Sequence, residues 1–169
     1  SIPPTKKFDP VIKNFSKIIK KCKPKWITYL SATSVYGDHK GKWVSEQSIT
    51  KPTSLKGLVR LEAEKSWLSL KTNNDLPIQI FRLSGIYSNQ NNILTRLKLG
   101  KAKLIKKRNN FFSRVHVEDI ANTLFQSLSN FKTAKKASCG SSTLPIVFIL
   151  FLPAFCFSRS FLFLDISPP

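Results

Sequence analysis

The stretch Trp26-Ile-Thr-Tyr-Leu-Ser-Ala-Thr-Ser-Val-Tyr-Gly37 decides the fold class. Its first seven residues are aromatic, β-branched or small, the make-up of a β-strand, and a polar turn follows. Upstream, Val11, Ile12, Phe15, Ile18, Ile19 and Cys22 recur at helical spacing until Pro24 closes the stretch. Downstream, Leu55, Leu58, Leu61 and Leu68 predict a second helix, with Ser54 as its N-cap and Glu62 and Glu64 on it. A second apolar strand, Pro77 to Leu83, ends at Ser84-Gly85. A short helix over Ile93 to Leu99 stops at Gly100, and Lys101 to Lys107 alternates like an exposed strand. Ser113 to Val117 leads into a helix whose Ile120, Ala121, Leu124, Phe125 and Leu128 share one face, with Glu118 and Asp119 in its first turn. Strands alternating with helices predict an α/β fold with a parallel sheet. Ligands of such sheets bind beyond the carboxyl ends of the strands, so Ser31 to Gly37, Ser84 to Tyr87 and Arg114 to Val117 are expected to line one crevice.

Composition bounds the rest. The 169 residues carry 28 Lys+Arg against 9 Asp+Glu, a net charge of +19, and 41% are hydrophobic. That suits one domain and is too short for an enzyme with complete cofactor and substrate halves. Three cysteines, Cys22, Cys139 and Cys156, exclude a disulfide framework and point to a reducing, cytoplasmic compartment. The sequence contains no methionine, which suggests a piece of a longer reading frame, and its start has no basic-then-apolar signal pattern. After Lys136 the composition changes: only Arg159 and Asp165 are charged, and Phe becomes frequent. Residues 1–136 therefore read as the domain and residues 137–169 as an apolar tail. The run Leu144 to Phe157 contains Pro145 and Pro153 and is short of the ~20 apolar residues a membrane helix needs. A membrane anchor, a buried C-terminal segment and sequence foreign to the fold, such as a shifted frame, remain open, and the abrupt break favours the last.

Four blocks then occur in a familiar order: Tyr29-Leu-Ser-Ala-Thr-Ser-Val-Tyr-Gly37, Pro52-Thr-Ser-Leu-Lys-Gly-Leu-Val-Arg-Leu-Glu-Ala-Glu64, Phe81-Arg-Leu-Ser-Gly-Ile-Tyr87 and Arg114-Val-His-Val-Glu-Asp-Ile120. Over Ser1 to Phe131 the chain resembles the NAD-dependent epimerase/dehydratase family, the atypical extended short-chain dehydrogenases/reductases. The resemblance implies a partial Rossmann-like, doubly wound parallel sheet lacking the N-terminal glycine-rich βαβ half. It also implies NAD or NADP as cofactor, hydride and proton transfer on a hydroxyl or keto group of a small molecule such as a nucleotide-sugar, and a homodimer. The cofactor would meet Ile2, Pro3, Ser31, Arg60, Ser84 and Gly85, and the substrate Tyr36, Tyr87, Arg114 and His116.

This sequence departs from the family where the chemistry sits. No G-x-G-x-x-G occurs among its six glycines, so no appreciable dinucleotide affinity is expected from this chain alone. The family Tyr, which exchanges a proton with the substrate, aligns with Lys56; the Lys that lowers its pKa aligns with Arg60; the orienting Ser or Thr aligns with Ala32. Thr33, Lys56 and Arg60 are the remaining catalytic candidates, although Arg60 stays protonated and Lys56 in so basic a segment reads first as a solvated lysine. A non-catalytic relative that keeps the crevice for binding or regulation is the competing reading.

Two other classes fit less well. His116, Glu118 and Asp119 suggest a metal, but the chain has only two histidines and no cysteine pair with ligand spacing, so no metal site is expected. Lys101 to Arg108 with Phe111-Phe112 resembles a single-strand nucleic-acid patch. The lysines, however, are scattered from Lys6 to Lys136 and no nucleic-acid module appears, so a solvated face is the expectation.

Overall fold

Asp9 caps the first helix. A computed structural model describes residues 3–5, 8–102, 111–137 and 147–150, with side chains through 128. The Asp9 carboxylate accepts from the N–H groups of Val11 (2.9 Å) and Ile12 (3.1 Å), capping helix α1 (Pro10–Cys22) where its first donors lack partners. Its second oxygen accepts from the indole N–H of Trp67 at 3.3 Å. Lys23, in the left-handed region, ends α1, and strand β1 (Ile27–Ala32) follows. A 3-10 turn (Thr33–Val35) closes β1, so the end of the strand is irregular and Thr33 leaves the alternation of faces.

Helix α2 (Leu55–Asn74) starts under the Ser54 cap, whose hydroxyl accepts from Gly57 N–H at 3.1 Å, and returns the chain to β2 (Ile78–Leu83), which is buried along its whole length. The two strands pair in parallel from Ile27↔Ile78 to Ala32↔Leu83. Beyond them come β3 (Gly85–Tyr87), α3 (Ile93–Lys98, capped by Asn92), β4 (Arg114–His116), α4 (Val117–Ala137) and β5 (Val147–Leu150). β5 lies parallel to β2 from Ile80↔Val147 to Leu83↔Leu150, so four residues of the apolar tail form a third strand in the order β1-β2-β5. β1 thus stands at one edge of the described sheet.

Side-chain alternation gives the sheet two apolar faces. Tyr29, Ile78 and Ile80 pack against Ala63, Trp67 and Leu70 of α2, and Val11, Ile12 and Ile19 of α1 cover them. The rings of Tyr29 and Trp67 stack at 5.8 Å. On the other face Phe81 and Leu83 meet Val115 and Ile120, with Leu30 and Leu124 beside them. There the Gln79 amide donates to Thr28 Oγ1 and Ser127 Oγ, each at 3.1 Å, tying α4 to the sheet. Helices on both faces of a parallel sheet make the doubly wound arrangement expected from the sequence.

Details differ. The expected apolar face of α4 is narrower than its spacing suggests: Ile120 is buried and Leu124 half-buried, whereas Ala121, Leu128 and Phe125, at 67% exposure, face outward. β4 runs directly into the helix, and only the 120/124 line reaches Phe81 and Leu83. Phe15 and Ile18 of α1 are likewise exposed. Gly85 also does not simply end a strand. Its N–H donates to Ser113 O at 3.0 Å, and β3 pairs in parallel with β4 as a second small sheet. The alternating stretch predicted through Lys107, the basic cluster Lys106, Lys107 and Arg108, residue Ile2 and the tail apart from β5 lie outside the described residues. No helix among the described residues is long and apolar enough to cross a membrane.

Asp9 serves two elements at once, so Asp9→Ala removes the α1 cap and leaves a buried indole N–H unpaired. A loss of about 2 kcal/mol or more in urea unfolding is expected, against a few tenths for an exposed cap.

Candidate functional site

At the carboxyl ends of β1 and β2 a buried polar cluster takes the place of further core. Glu64 of α2 is 1% exposed and Arg82 of β2 is 7% exposed. The Arg82 guanidinium grips the carboxylate through Nε (3.1 and 3.2 Å) and Nη2 (2.7 Å), and its Nη1 donates to the Tyr36 hydroxyl at 2.8 Å. The guanidinium also lies over the Tyr36 ring, 4.8 Å from the centroid, and Ser31 donates its hydroxyl to Glu64 Oε1. Burial works against the Arg82 charge, but the hydrogen bonds and charge of Glu64 outweigh it and push the pKa up. Burial also raises the Tyr36 pKa, with the Arg82 hydrogen bond opposing. Sequence reasoning quoted Glu64 and Arg82 within motifs without assigning them to the site. Opposite charges placed where both helix and strand bury were the available signal.

Next to this cluster stand the residues aligned with the family's proton-transfer set. Gly57 lets α2 approach the turn after β1, since a Cβ there would lie 2.6 Å from Ser34 O. Lys56, one residue earlier, is exposed on the first turn of α2. Arg60, a turn further along, is half-buried and donates from Nη1 to the Leu30 carbonyl at 3.0 Å. Ala32 ends β1 without a hydroxyl, and Thr33 heads the 3-10 turn. Tyr29, facing α2, is buried with its hydroxyl beside the Arg60 guanidinium. Burial pushes its pKa up to about 12 despite the nearby Arg60 charge.

The second wall is the β3–β4 pair. Its register sets Gly85 opposite Arg114 and Tyr87 opposite His116, and the Tyr87 and His116 rings meet edge-on at 5.0 Å. His116 Nδ1 lies 3.4 Å from the Glu118 N–H and 3.6 Å from the Glu118 carboxylate. Arg114 is exposed, with its guanidinium 5.7 Å from the Phe112 ring centroid. Between the walls, Ser84 at 5% exposure and Ser113 have hydroxyls without partners. The structure thus brings together Ser31 with Tyr36, Gly85 with Arg114, and Tyr87 with His116; Lys56 stays at the surface and Ile2 lies outside the described residues. A cleft of about 500 Å3 lies elsewhere, between Phe8, Ile12, Leu55, Leu58 and Ala63, and none of the predicted site residues lines it. Among the described residues no group of three His, Cys, Asp or Glu could hold a metal ion.

Known structures share this fold. A functionally unknown conserved protein from Silicibacter pomeroyi is 35% identical, with a TM-score of 0.72 over 89% of this chain and 49% of its own. UDP-glucuronic acid 4-epimerase from Bacillus cereus, solved in complex with NAD, is 19% identical, with a TM-score of 0.66 over 84% of this chain and 46% of its own. UDP-N-acetylglucosamine 4-epimerase from Bacillus cereus is 17% identical, with a TM-score of 0.64 over 86% and 49%. The chain spans about half the length of these structures. No protein-family model matches it, and no curated protein does. The chain has the Rossmann-type α/β fold of the NAD-dependent epimerases and dehydratases, as the four sequence blocks implied.

Of the residues the resemblance assigns to a dinucleotide, Ser31 is engaged by Glu64 and Arg60 by Leu30 O, while Ser84 keeps an unpartnered hydroxyl. In this sequence no glycine-rich turn stands beside this set to receive a pyrophosphate, and the chain spans about half the length of these structures.

Arg82→Ala leaves the Glu64 carboxylate buried without its cation and is expected to cost about 3–5 kcal/mol in urea unfolding. Tyr29 favours its neutral form in the folded state, so its contribution is full below about pH 10 and is lost as pH rises towards about 12. Tyr29→Phe, which removes the titrating hydroxyl, is expected to lose stability less steeply than the parent between those pH values, as read by urea unfolding across that range.

Proposed function

We propose that the protein is a homologue of the NAD(P)-dependent epimerases and dehydratases whose crevice binds a nucleotide-linked sugar, and that its own residues bind and orient without shuttling protons. One observation carries this reading: Arg60 is spent on the Leu30 carbonyl while Lys56 faces solvent, so neither family position offers a proton-exchanging group at the crevice. The second wall, by contrast, offers donors. Arg114 supplies a planar fork for phosphate oxygens, and His116 Nε2 and the Tyr87 hydroxyl supply partners for sugar hydroxyls. A bound nicotinamide would supply hydride chemistry in such a fold. Thr33, a hydroxyl next to Ala32, favours the oxidoreductase as a second reading. A cytoplasmic homodimer is the setting we propose for either.

Calorimetric titration of the chain with UDP-glucose tests the reading. Saturable binding weakened about tenfold or more by Arg114→Ala is expected, with no oxidation of added NADH in the presence of the 4-keto sugar. NADH-dependent turnover would instead establish the oxidoreductase, and absence of saturable binding would sink the crevice assignment.

A further inference from the structure

We infer that the exposed face of helix α1 docks on the surface of a membrane containing anionic lipid. Between Asp9 and Asp38 the sequence has no acidic residue, while Lys13, Lys17, Lys20, Lys21, Lys23 and Lys25 are all exposed. Among the described residues none of these lysines forms an ion pair. Asp9 is buried, with its carboxylate taken up by the helix cap and the Trp67 indole. Helix α2, which packs with α1, spends Glu62 on Lys65 and Glu64 on Arg82. The α1 side of the domain therefore presents cationic charge that its own acids leave unmatched.

The same helix carries apolar groups that the core does not take. Val11, Ile12 and Ile19 pack on the core, whereas Phe15 at 48% and Ile18 at 56% exposure stand outside it. Helical spacing makes Asn14, Phe15, Lys21 and Cys22 the surface neighbours of Ile18, and sets Lys17 one turn before Lys21. Ammonium groups and apolar side chains thus lie side by side. A nucleic acid would meet the lysines and leave Ile18 in water. An anionic bilayer takes both, because its headgroups attract the lysines while apolar side chains enter the boundary of the acyl region. The lysine stems can lie along that boundary with their charged ends in water. With 13 residues α1 is about 20 Å long, a length that lies on a bilayer and does not cross it. No crevice residue takes part, so the inference stands whether or not a nucleotide-sugar is the ligand.

Co-sedimentation of the full chain with phosphatidylcholine vesicles, with and without phosphatidylserine, tests it. Binding that requires phosphatidylserine is expected. Replacing both lysines, Lys17→Gln with Lys21→Gln, is expected to weaken it about twentyfold, and Ile18→Ser about tenfold. Urea unfolding of both variants should match the parent, since all three side chains are exposed. Lys42→Gln with Lys51→Gln removes the same charge at exposed lysines outside α1 and is expected to weaken binding about twofold at most. Absence of phosphatidylserine-dependent binding would overturn the inference. So would equal losses in the two lysine pairs, since that is attraction by net charge alone. An Ile18→Ser variant bound as tightly as the parent would overturn it as well, and its displacement from the vesicles by single-stranded RNA would assign the face to nucleic acid.

Discussion

The ion pair between Glu64 and Arg82 is the constraint on which the rest of the strand-end architecture depends. Two charges withdrawn from water are tolerable only if each finds near-complete compensation, and here the carboxylate takes three guanidinium contacts plus a hydroxyl while the guanidinium adds Tyr36. Those demands fix α2 against β2 and fix the turn after β1 against both. The apolar core fixes the layers, but layers packed on Tyr29, Trp67, Ile78 and Ile80 could slide by small amounts; a bidentate pair cannot. The crevice walls take their positions from that pair.

What surrounds the pair explains why a family fold can persist after its proton-transfer residues have changed. The aligned positions 32, 56 and 60 lie next to the cluster and outside its hydrogen bonds, so replacing them leaves it intact. Arg60 even gains a structural task at the Leu30 carbonyl, one that a shorter ammonium lacking a planar fork performs less well. Fold and chemistry are thus separable here at the level of individual side chains.

Much of the architecture was legible in the sequence because it follows from periodicity and punctuation: the α1 stripe closed at Pro24, the Ser54 cap, the unbroken apolar run of β2 and the Gly100 stop of α3 all mark real elements. Other features depend on partners distant in sequence. The short β3–β4 pair has three residues a side and exists through register with a segment nearly thirty residues away, which no local pattern encodes. Outward-facing Phe125 belongs to a helical stripe wider than the sheet that receives it. Asp9 looked like any residue before a proline, since its second bond, to Trp67, joins residues 58 positions apart. Within the site, hydroxyls and rings at strand ends could be named from the four blocks, but Ser31 could not be seen to be committed to Glu64.

The position of β1 at the sheet edge bears on how the protein behaves in concentrated solution. Along that side Thr28, Leu30 and Ala32 turn their backbone groups away from β2, and Arg60 covers only the Leu30 carbonyl. Among the described residues no strand pairs with that side, and a strand edge of that kind is a template for pairing with another chain. A net charge of +19 opposes such encounters by mutual repulsion. That repulsion reaches only about 8 Å at physiological ionic strength and less in stronger salt, so the colloidal stability of this chain is tied to the ionic strength around it.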